Sequence, residues 1–447
     1  MKIILAHMPT LTIKSLFLVF CAIICSFKLF SQNHASFIEP LTKLKYSSAQ
    51  AVGIDSAFLY HKIDSIANYA IQKGVAPGIQ VLVARHGHIV LHNTYGFHTY
   101  DSIKKVEKED LYDWASVTKI TAGLPALMQL YDQNKFSLDA TMGTYLPYFN
   151  KGNKKDLTYR KILSHHALLK PWIPYWTTTL KKNGNYKNKT LTHLKKEGYD
   201  IEIVPGLYLY NNYKANIYKQ ILKTELNKNK GYQYSGLIFY LIPEIVEKLS
   251  SEKFADYLKK NVYEPIGAST ITFNPLEKFN KDHIIPTEID TFFRMHPLHG
   301  TVHDEGAAMM NGISSNAGLF GSTIDLAKMM QMYMWMGKYD SMQIISPHTM
   351  DLFTTRHYAN EGNRRGLGFD KPVLTNKENG STAKDASEKS FGHSGYTGTF
   401  AWSDPENGIL FVFMSNRVYP TRANTKIYQL NIRPTMHQAI YDALEKQ

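Results

Sequence analysis

Apolar positions along this chain fall into two kinds of run. Residues 77–84 (PGIQVLVA) and 88–93 (HIVLHN) are short and β-branched, and Arg85-His86-Gly87 separates them, which predicts a β-hairpin. Near the other end, residues 398–403 and 408–415 flank the turn Asp404-Pro-Glu-Asn-Gly408 and predict a second hairpin. Between the hairpins the apolar spacing becomes helical over residues 116–133, 158–169, 234–249, 254–262 and 323–336, and again at 433–444. Met329, Met330, Met332, Met334 and Met336 cover too many faces to be a ligand set and are assigned to the core. No linker or repeat divides the chain. The expected fold is therefore α+β: an antiparallel sheet built from N- and C-terminal segments and flanked by helices, with a mainly helical lobe inserted over about residues 130–330.

The helical run opening at Ser116 carries the first candidate chemistry. Ser116-Val117-Thr118-Lys119 places a hydroxyl and an amine side by side on one turn. A lysine desolvated at a helix start can lose its charge and take the hydroxyl proton, converting a poor nucleophile into a competent one. The spacing alone is cheap, since Ser102/Lys105, Ser250/Lys253 and Ser381/Lys384 repeat it in polar surroundings. Only Ser116 enters an apolar neighbourhood, with Trp114 and Ala115 before it and Ile120, Leu124, Leu127, Met128 and Tyr131 after it. The competing reading is a serine that merely caps a helix. Pro125 is expected to kink the helix beyond its first turn.

Charge and cysteine placement bear on the compartment. Lys2 and Lys14, the apolar run 16–27 and Ser31-Gln32 have the layout of a secretory signal peptide over residues 1–32. A lead-in over 33–56 and a catalytic domain over 57–447 are expected to follow. Both cysteines, Cys21 and Cys25, lie inside the apolar run, so a cleaved product could form no disulfide. The expected location is a bacterial periplasm or the exterior, with no stable membrane span after cleavage; an uncleaved anchor is the alternative. The formal charge of +13 is concentrated, because residues 151–231 hold 16 Lys and one Arg against five Asp or Glu. Such a balance suits nucleic acid, but export and the lack of any nucleic-acid-binding signature argue against that partner. A solvated lobe, or electrostatic contact with an anionic envelope, fits better.

A nucleophile of this kind needs a proton carrier and donors for an oxyanion. Tyr234-Ser235 puts a phenol at a helix entrance, although most of the 29 tyrosines simply pack. The glycine-bracketed stretch Phe391-Gly392-His393-Ser394-Gly395-Tyr396 feeds the strand that follows, and glycine there would let a substrate lie against the backbone. His296, His299 and His303, followed by Asp304 and Glu305, have spacings that could suit zinc. Pro297 and Gly300 break the helix that would align them, so they are read as loop residues lining the cleft near residues 316–321. No metal or cofactor is expected.

Taken in order, Ser-x-x-Lys, Tyr-Ser and His-Ser-Gly are more specific than any one of them. With PGIQVLVARHGHIVLHNTYG, WASVTKITAGLPALMQL, LTYRKILSHHALL, NAGLFGSTIDLAKMMQMY, GLGF and FGHSGYTGTFAWSDPENG, the chain resembles the serine β-lactamase and penicillin-binding-protein superfamily, in its class C and esterase-like arm. PTEIDTFFR and HGTVHDEGAAM are similar to the β-lactamase-like domain appended to bacterial family-3 β-N-acetylglucosaminidases. The resemblance implies Ser116 as acylated nucleophile, Lys119 as its base and Tyr234 as proton carrier, with Tyr232 the alternative if the register slips. It implies that His393 stands where a lysine is usual and orients Tyr234 or a substrate carboxylate. The oxyanion would be held by the N–H groups of Ser116 and Tyr396, beside Ser394 and Gly395. His165 is implied to be a packing and hydrogen-bonding residue. One departure is Gly236, where the family pattern has an asparagine that touches the lysine and binds substrate amides. The expectation is an exported serine hydrolase acting on a small amide, ester or D-amino-acid peptide linked to cell-wall turnover, with β-lactams as further acylating agents. The alternative is a catalytically weak envelope-binding module of the same fold.

Overall fold

The computed structural model describes residues 41–377 and 380–445. The signal-peptide reading and the first part of the lead-in lie outside the described residues. A compact unit spans Thr42–Gln447.

Its centre is a six-stranded sheet made of β1 (Lys45–Tyr46), β2 (Gly78–Arg85), β3 (His88–Gly96), β4 (Phe391–Ser394), β5 (Phe400–Asp404) and β6 (Ile409–Ser415). The strand order is β1-β3-β2-β6-β5-β4, so both chain ends build one sheet, as the two hairpins predict. Every pairing is antiparallel except β1 with β3, which is parallel and makes the sheet mixed. β2 and β6 pair in the middle, in register from Ile409↔Arg85 to Ser415↔Ile79. Both are buried on both faces, which explains why they read as unbroken apolar runs. Side chains alternate between the faces. Val81, Val83, Phe411 and Phe413 join a core under the helices Ser56–Gln72 and Ile432–Asp442. Leu82, Ala84, Leu410 and Val412 join the larger core on the other face, with Trp114, Leu127 and Met329.

Several expected elements change shape. A helix over Ser56–Gln72, capped by Asp55 accepting from the Phe58 N–H at 3.0 Å, was not anticipated. The expected helix at 158–169 is regular only over Tyr159–Leu163, and His165 and Leu168 then take positive φ of 55° and 59°. The run at 234–249 starts as a loop, turns through a 3-10 segment at Leu237–Tyr240 and becomes α-helical at Ile242–Ser250. Tyr234 therefore sits on a loop rather than at a helix entrance. The lobe also contains a three-stranded sheet of Leu191–Thr192, Ile201–Val204 and Leu207–Leu209.

The run at 116–133 is the most informative correction. Pro125 does not kink a continuous helix. It stands in the first turn of the α-helix Leu124–Asp132, where its fixed φ suits the helix, and a π-helical turn, Lys119–Gly123, precedes it. Proline cannot donate to the Thr121 carbonyl, and the Tyr263 hydroxyl does so instead at 2.9 Å. The Tyr333 hydroxyl caps the Ile120 carbonyl at 2.5 Å. Two buried phenols thus satisfy the carbonyls that the irregular turn releases.

Candidate active site

Ser116 lies at a strained corner. The short strand Tyr112–Asp113 pairs with Phe320–Gly321, and the chain then reverses through Ala115, which has φ of +44°. A left-handed alanine costs about 1–2 kcal/mol, so neighbours must hold it. The Ala115 N–H donates to Asp113 Oδ1 at 2.8 Å, and the indole of the fully buried Trp114 donates to the Gly321 carbonyl at 3.1 Å. Asp113 also binds two other segments. Its Oδ2 accepts from the His303 N–H at 2.7 Å, and its carbonyl accepts from the Thr397 hydroxyl at 2.7 Å. Burial raises the Asp113 carboxyl above its ordinary range, while the His303 N–H pulls it back.

The 3-10 turn Ala115–Val117 then delivers Ser116 beside Lys119, with Lys119 Nζ 2.9 Å from Ser116 Oγ. Lys119 is only 2 % exposed, and its Nζ also donates to the Asn316 carbonyl at 2.7 Å. Among the described residues no carboxylate lies within ion-pair distance of it. The rings of Phe239 and Tyr234 flank the ammonium position at 5.4 and 5.7 Å. The Tyr234 hydroxyl is 3.3 Å from Ser116 Oγ. Tyr232 turns away and accepts from the Arg365 guanidinium at 3.2 Å, so Tyr234 is the tyrosine at the serine.

Loop contacts hold Tyr234 in place. The Gln233 N–H donates to the His165 carbonyl at 2.8 Å, the Ser235 N–H to His165 Nδ1 at 3.2 Å, and the Gly236 N–H to the Pro171 carbonyl at 3.1 Å. His165 is buried against the Tyr234 ring, 4.6 Å between centroids. Behind the ring stands Arg365, its guanidinium 5.3 Å from the centroid and ion-paired to Asp370 at 3.2 Å. Burial alone would raise the Asp370 carboxyl, but Arg365 and Arg364 hold it below its usual range. Arg365 and Asp370 were not anticipated, although two arginines and an aspartate flank the stretch Gly366–Phe369 in sequence.

His393 differs from what the resemblance implies. It is 3 % exposed, and its Nδ1 donates to the Ser394 carbonyl at 2.7 Å. Burial, with Arg365 and Lys119 nearby, lowers its pKa to about 3. The ring is consequently neutral near pH 7 and offers a substrate carboxylate no cation. Its centroid is 6.0 Å from that of Tyr234, and its buried Nε2 has no hydrogen-bond partner among the described residues. Gly395 also has a different reason to be glycine. A Cβ there would strike the Trp114 carbonyl and the Thr399 hydroxyl, so glycine lets the end of β4 close onto the serine turn. Tyr396 follows, 47 % exposed and stacked on the Arg417 guanidinium at 4.5 Å. The Ser116 and Tyr396 N–H groups donate to no other protein group among the described residues, so both are available to an oxyanion.

These groups border a cleft of about 390 Å³ lined by Ser116, Lys119, Tyr234, Gly236, Asn316 and Tyr396, with Trp172 and Arg422 on its walls. His303 also lines it, but the three loop histidines do not converge. His296 Nδ1 engages the Pro297 carbonyl, His299 Nε2 the Ile284 carbonyl, and His303 Nε2 pairs with Glu288 at 2.9 Å. Glu288 and Glu305 in turn neutralise Arg422, at 2.5 and 2.7 Å. At Gly236, φ is −87° and a Cβ would meet only the Pro171 carbonyl and Lys119 Cε at 3.8 and 3.9 Å. A side chain would fit there.

Comparison with known proteins agrees with this architecture. The sequence model of the Beta-lactamase family matches residues 63–432. A Salmonella typhimurium protein named D-alanyl-D-alanine carboxypeptidase is 29% identical over 411 residues, covering 86% of this chain and 88% of its own. Among solved structures, EstCE1, a hydrolase with promiscuous acyltransferase activity, aligns with TM-score 0.61 at 19% identity, over 86% of this chain and 99% of its own. A penicillin-binding-protein homologue from Caulobacter crescentus aligns with TM-score 0.59 at 16% identity, over 86% and 98%. The chain belongs to the Beta-lactamase family and is a hydrolase of that fold.

Proposed function

We propose that this chain is an exported serine hydrolase that works through an acyl-enzyme at Ser116, on a small amide, ester or D-amino-acid peptide derived from the cell wall. The observation that carries the reading is the Ser116 hydroxyl set 2.9 Å from a buried Lys119 amine and 3.3 Å from the Tyr234 phenol, at the wall of an open cleft. Lys119 takes the hydroxyl proton as Oγ attacks the carbonyl carbon. The oxyanion forms against the Ser116 and Tyr396 N–H groups, each worth about 3–4 kcal/mol of transition-state stabilisation. Collapse of the adduct expels the leaving group, which receives its proton by way of Tyr234, and water then hydrolyses the acyl-serine. The signal-like leader supports export, and the relatives named carboxypeptidase support a cell-wall substrate. The neutral His393 offers no cation to a terminal carboxylate, and Gly236 lacks the side chain that would bind a substrate amide, so both favour ester substrates within that range.

The test is covalent. A fluorophosphonate or fluorescent penicillin should add one adduct to the wild type, read by intact mass, and none to Ser116→Ala; equal labelling of both removes Ser116 from the mechanism. A panel of nitrocefin, p-nitrophenyl esters and D-alanyl peptides, run beside the same variant, then assigns the acyl and leaving groups.

A further inference from the structure

A second cavity lies apart from the catalytic cleft. It lies in the lobe, with a volume of about 700 Å³, between the helix Lys214–Lys223 and the segment 187–190. The helix is two-faced. Ile217, Tyr218 and Ile221 are buried in the lobe core, whereas Asn216, Lys219, Gln220 and Lys223 recur at helical spacing and face the cavity. Lys187 and Lys189 complete the opposite wall, and no lining residue is Asp or Glu. All four lysines are exposed, and among the described residues none has a carboxylate within ion-pair distance. Lys187 donates to the Thr178 carbonyl at 2.9 Å, which fixes it at the rim. Four like charges around one cavity give it a positive potential that favours an anion.

We propose that this cavity is a binding site for a phosphate-bearing glycan, distinct from the catalytic cleft. Lysine without arginine suits phosphate read as a point charge rather than a carboxylate read bidentately. The interleaved amides of Asn216 and Gln220 offer donors and acceptors to sugar hydroxyls. Tyr213 at the cavity floor is only 1 % exposed and presents no open ring for stacking bases, which disfavours a nucleic acid. Pro171 and Trp172 line the catalytic cleft while Ile173, the next residue, lines this cavity. A polymer anchored here would lie within one loop of Ser116.

The experiment measures binding of fluorescent phosphomannan by anisotropy across a salt series, with dephosphorylated mannan and a single-stranded oligonucleotide as controls. Binding held by about four ion pairs should weaken steadily as salt rises. The triple variant Lys189→Glu/Lys219→Glu/Lys223→Glu should weaken binding about tenfold or more at low salt and abolish the loss of binding with rising salt. Its labelling by fluorophosphonate should match wild type, which shows that it is folded. Ser116→Ala should bind as wild type, so failure of the acyl-enzyme reading and failure of this one are separate results. Equal binding by the triple variant, binding insensitive to salt, or equal affinity for mannan or the oligonucleotide overturns the proposal.

Discussion

On one side of the Ser116 hydroxyl stands Lys119, three residues along the same turn; on the other stands Tyr234, 118 residues away. The first side is set by local backbone, a left-handed Ala115 and a π-helical turn, and one distant group, the Asn316 carbonyl, receives the amine. The second is held by a stack of buried groups from distant segments, with His165 and the Arg365/Asp370 pair behind the phenol ring. The difference teaches that the nucleophile's base can be placed by covalent spacing, whereas its proton carrier depends on burying charge successfully. The two sides should therefore fail differently: the first in chemistry, the second in stability as well.

The largest effect is expected on the local side. Lys119→Ala should slow acylation by roughly 10²–10⁴ while leaving the denaturation midpoint near wild type, measured by stopped-flow labelling. A loss under tenfold would mean another base. On the distant side, Asp370→Asn strands a buried guanidinium and should cost about 3–5 kcal/mol in chemical denaturation. Arg365→Met/Asp370→Leu should recover much of that stability, because an apolar pair removes both buried charges. An unchanged midpoint in Asp370→Asn would show that the pair does not hold the Tyr234 side.

Acid sharpens the comparison further. Burial alone would raise the Glu288 pKa, but His303 and Arg422 lower it to about 2. A carboxylate depressed in the folded state contributes stability above its unfolded pKa and loses it as pH falls through the folded value. Wild type should therefore lose stability between about pH 4.5 and about pH 2, and Glu288→Gln should start lower and fall less over that window in thermal melts. A parallel decline in both would remove Glu288 from the acid response. Gly236→Asn should be mild. Its helical φ and open space predict a gain of about 0.4–1 kcal/mol, with a larger kcat/KM on peptide amides than on esters relative to wild type. A destabilised variant would mean that the cleft cannot admit the side chain. The smallest effect concerns His393, which gains charge only near pH 3, so His393→Gln should alter the rate without changing the shape of the pH profile between pH 5 and 8. A lost inflection in that range would show that the histidine does titrate there.

Legibility followed the range of the forces. The hairpins and the paired chain ends were readable because β2 and β6 are buried on both faces, which leaves unbroken apolar runs. The Ser116/Lys119 pair was readable because three residues of a turn bring the groups together whether the turn is α, 3-10 or π. The helix Ser56–Gln72 was missed although Leu59, Ile63, Ala67 and Ala70 carry its buried stripe. The resemblance pointed to Tyr234 and His393, but not to their states. Whether His393 is a cation depends on solvent access and on Arg365, which reaches it only through folding.

By itself the sequence determined the two hairpins of the sheet, the concentration of lysine in residues 151–231 and a serine beside an amine, since periodicity, composition and short-range spacing are properties of neighbours along a chain. Tertiary structure alone decided that Pro125 would leave carbonyls for Tyr263 and Tyr333, that Gly395 would serve a backbone approach, and that His393 would stay neutral. The lysines of the lobe belong to both accounts: their number is written in the chain, and their convergence on one cavity is not. Burial and electrostatics depend on distances in space, and the fold sets those distances between residues that the chain holds far apart.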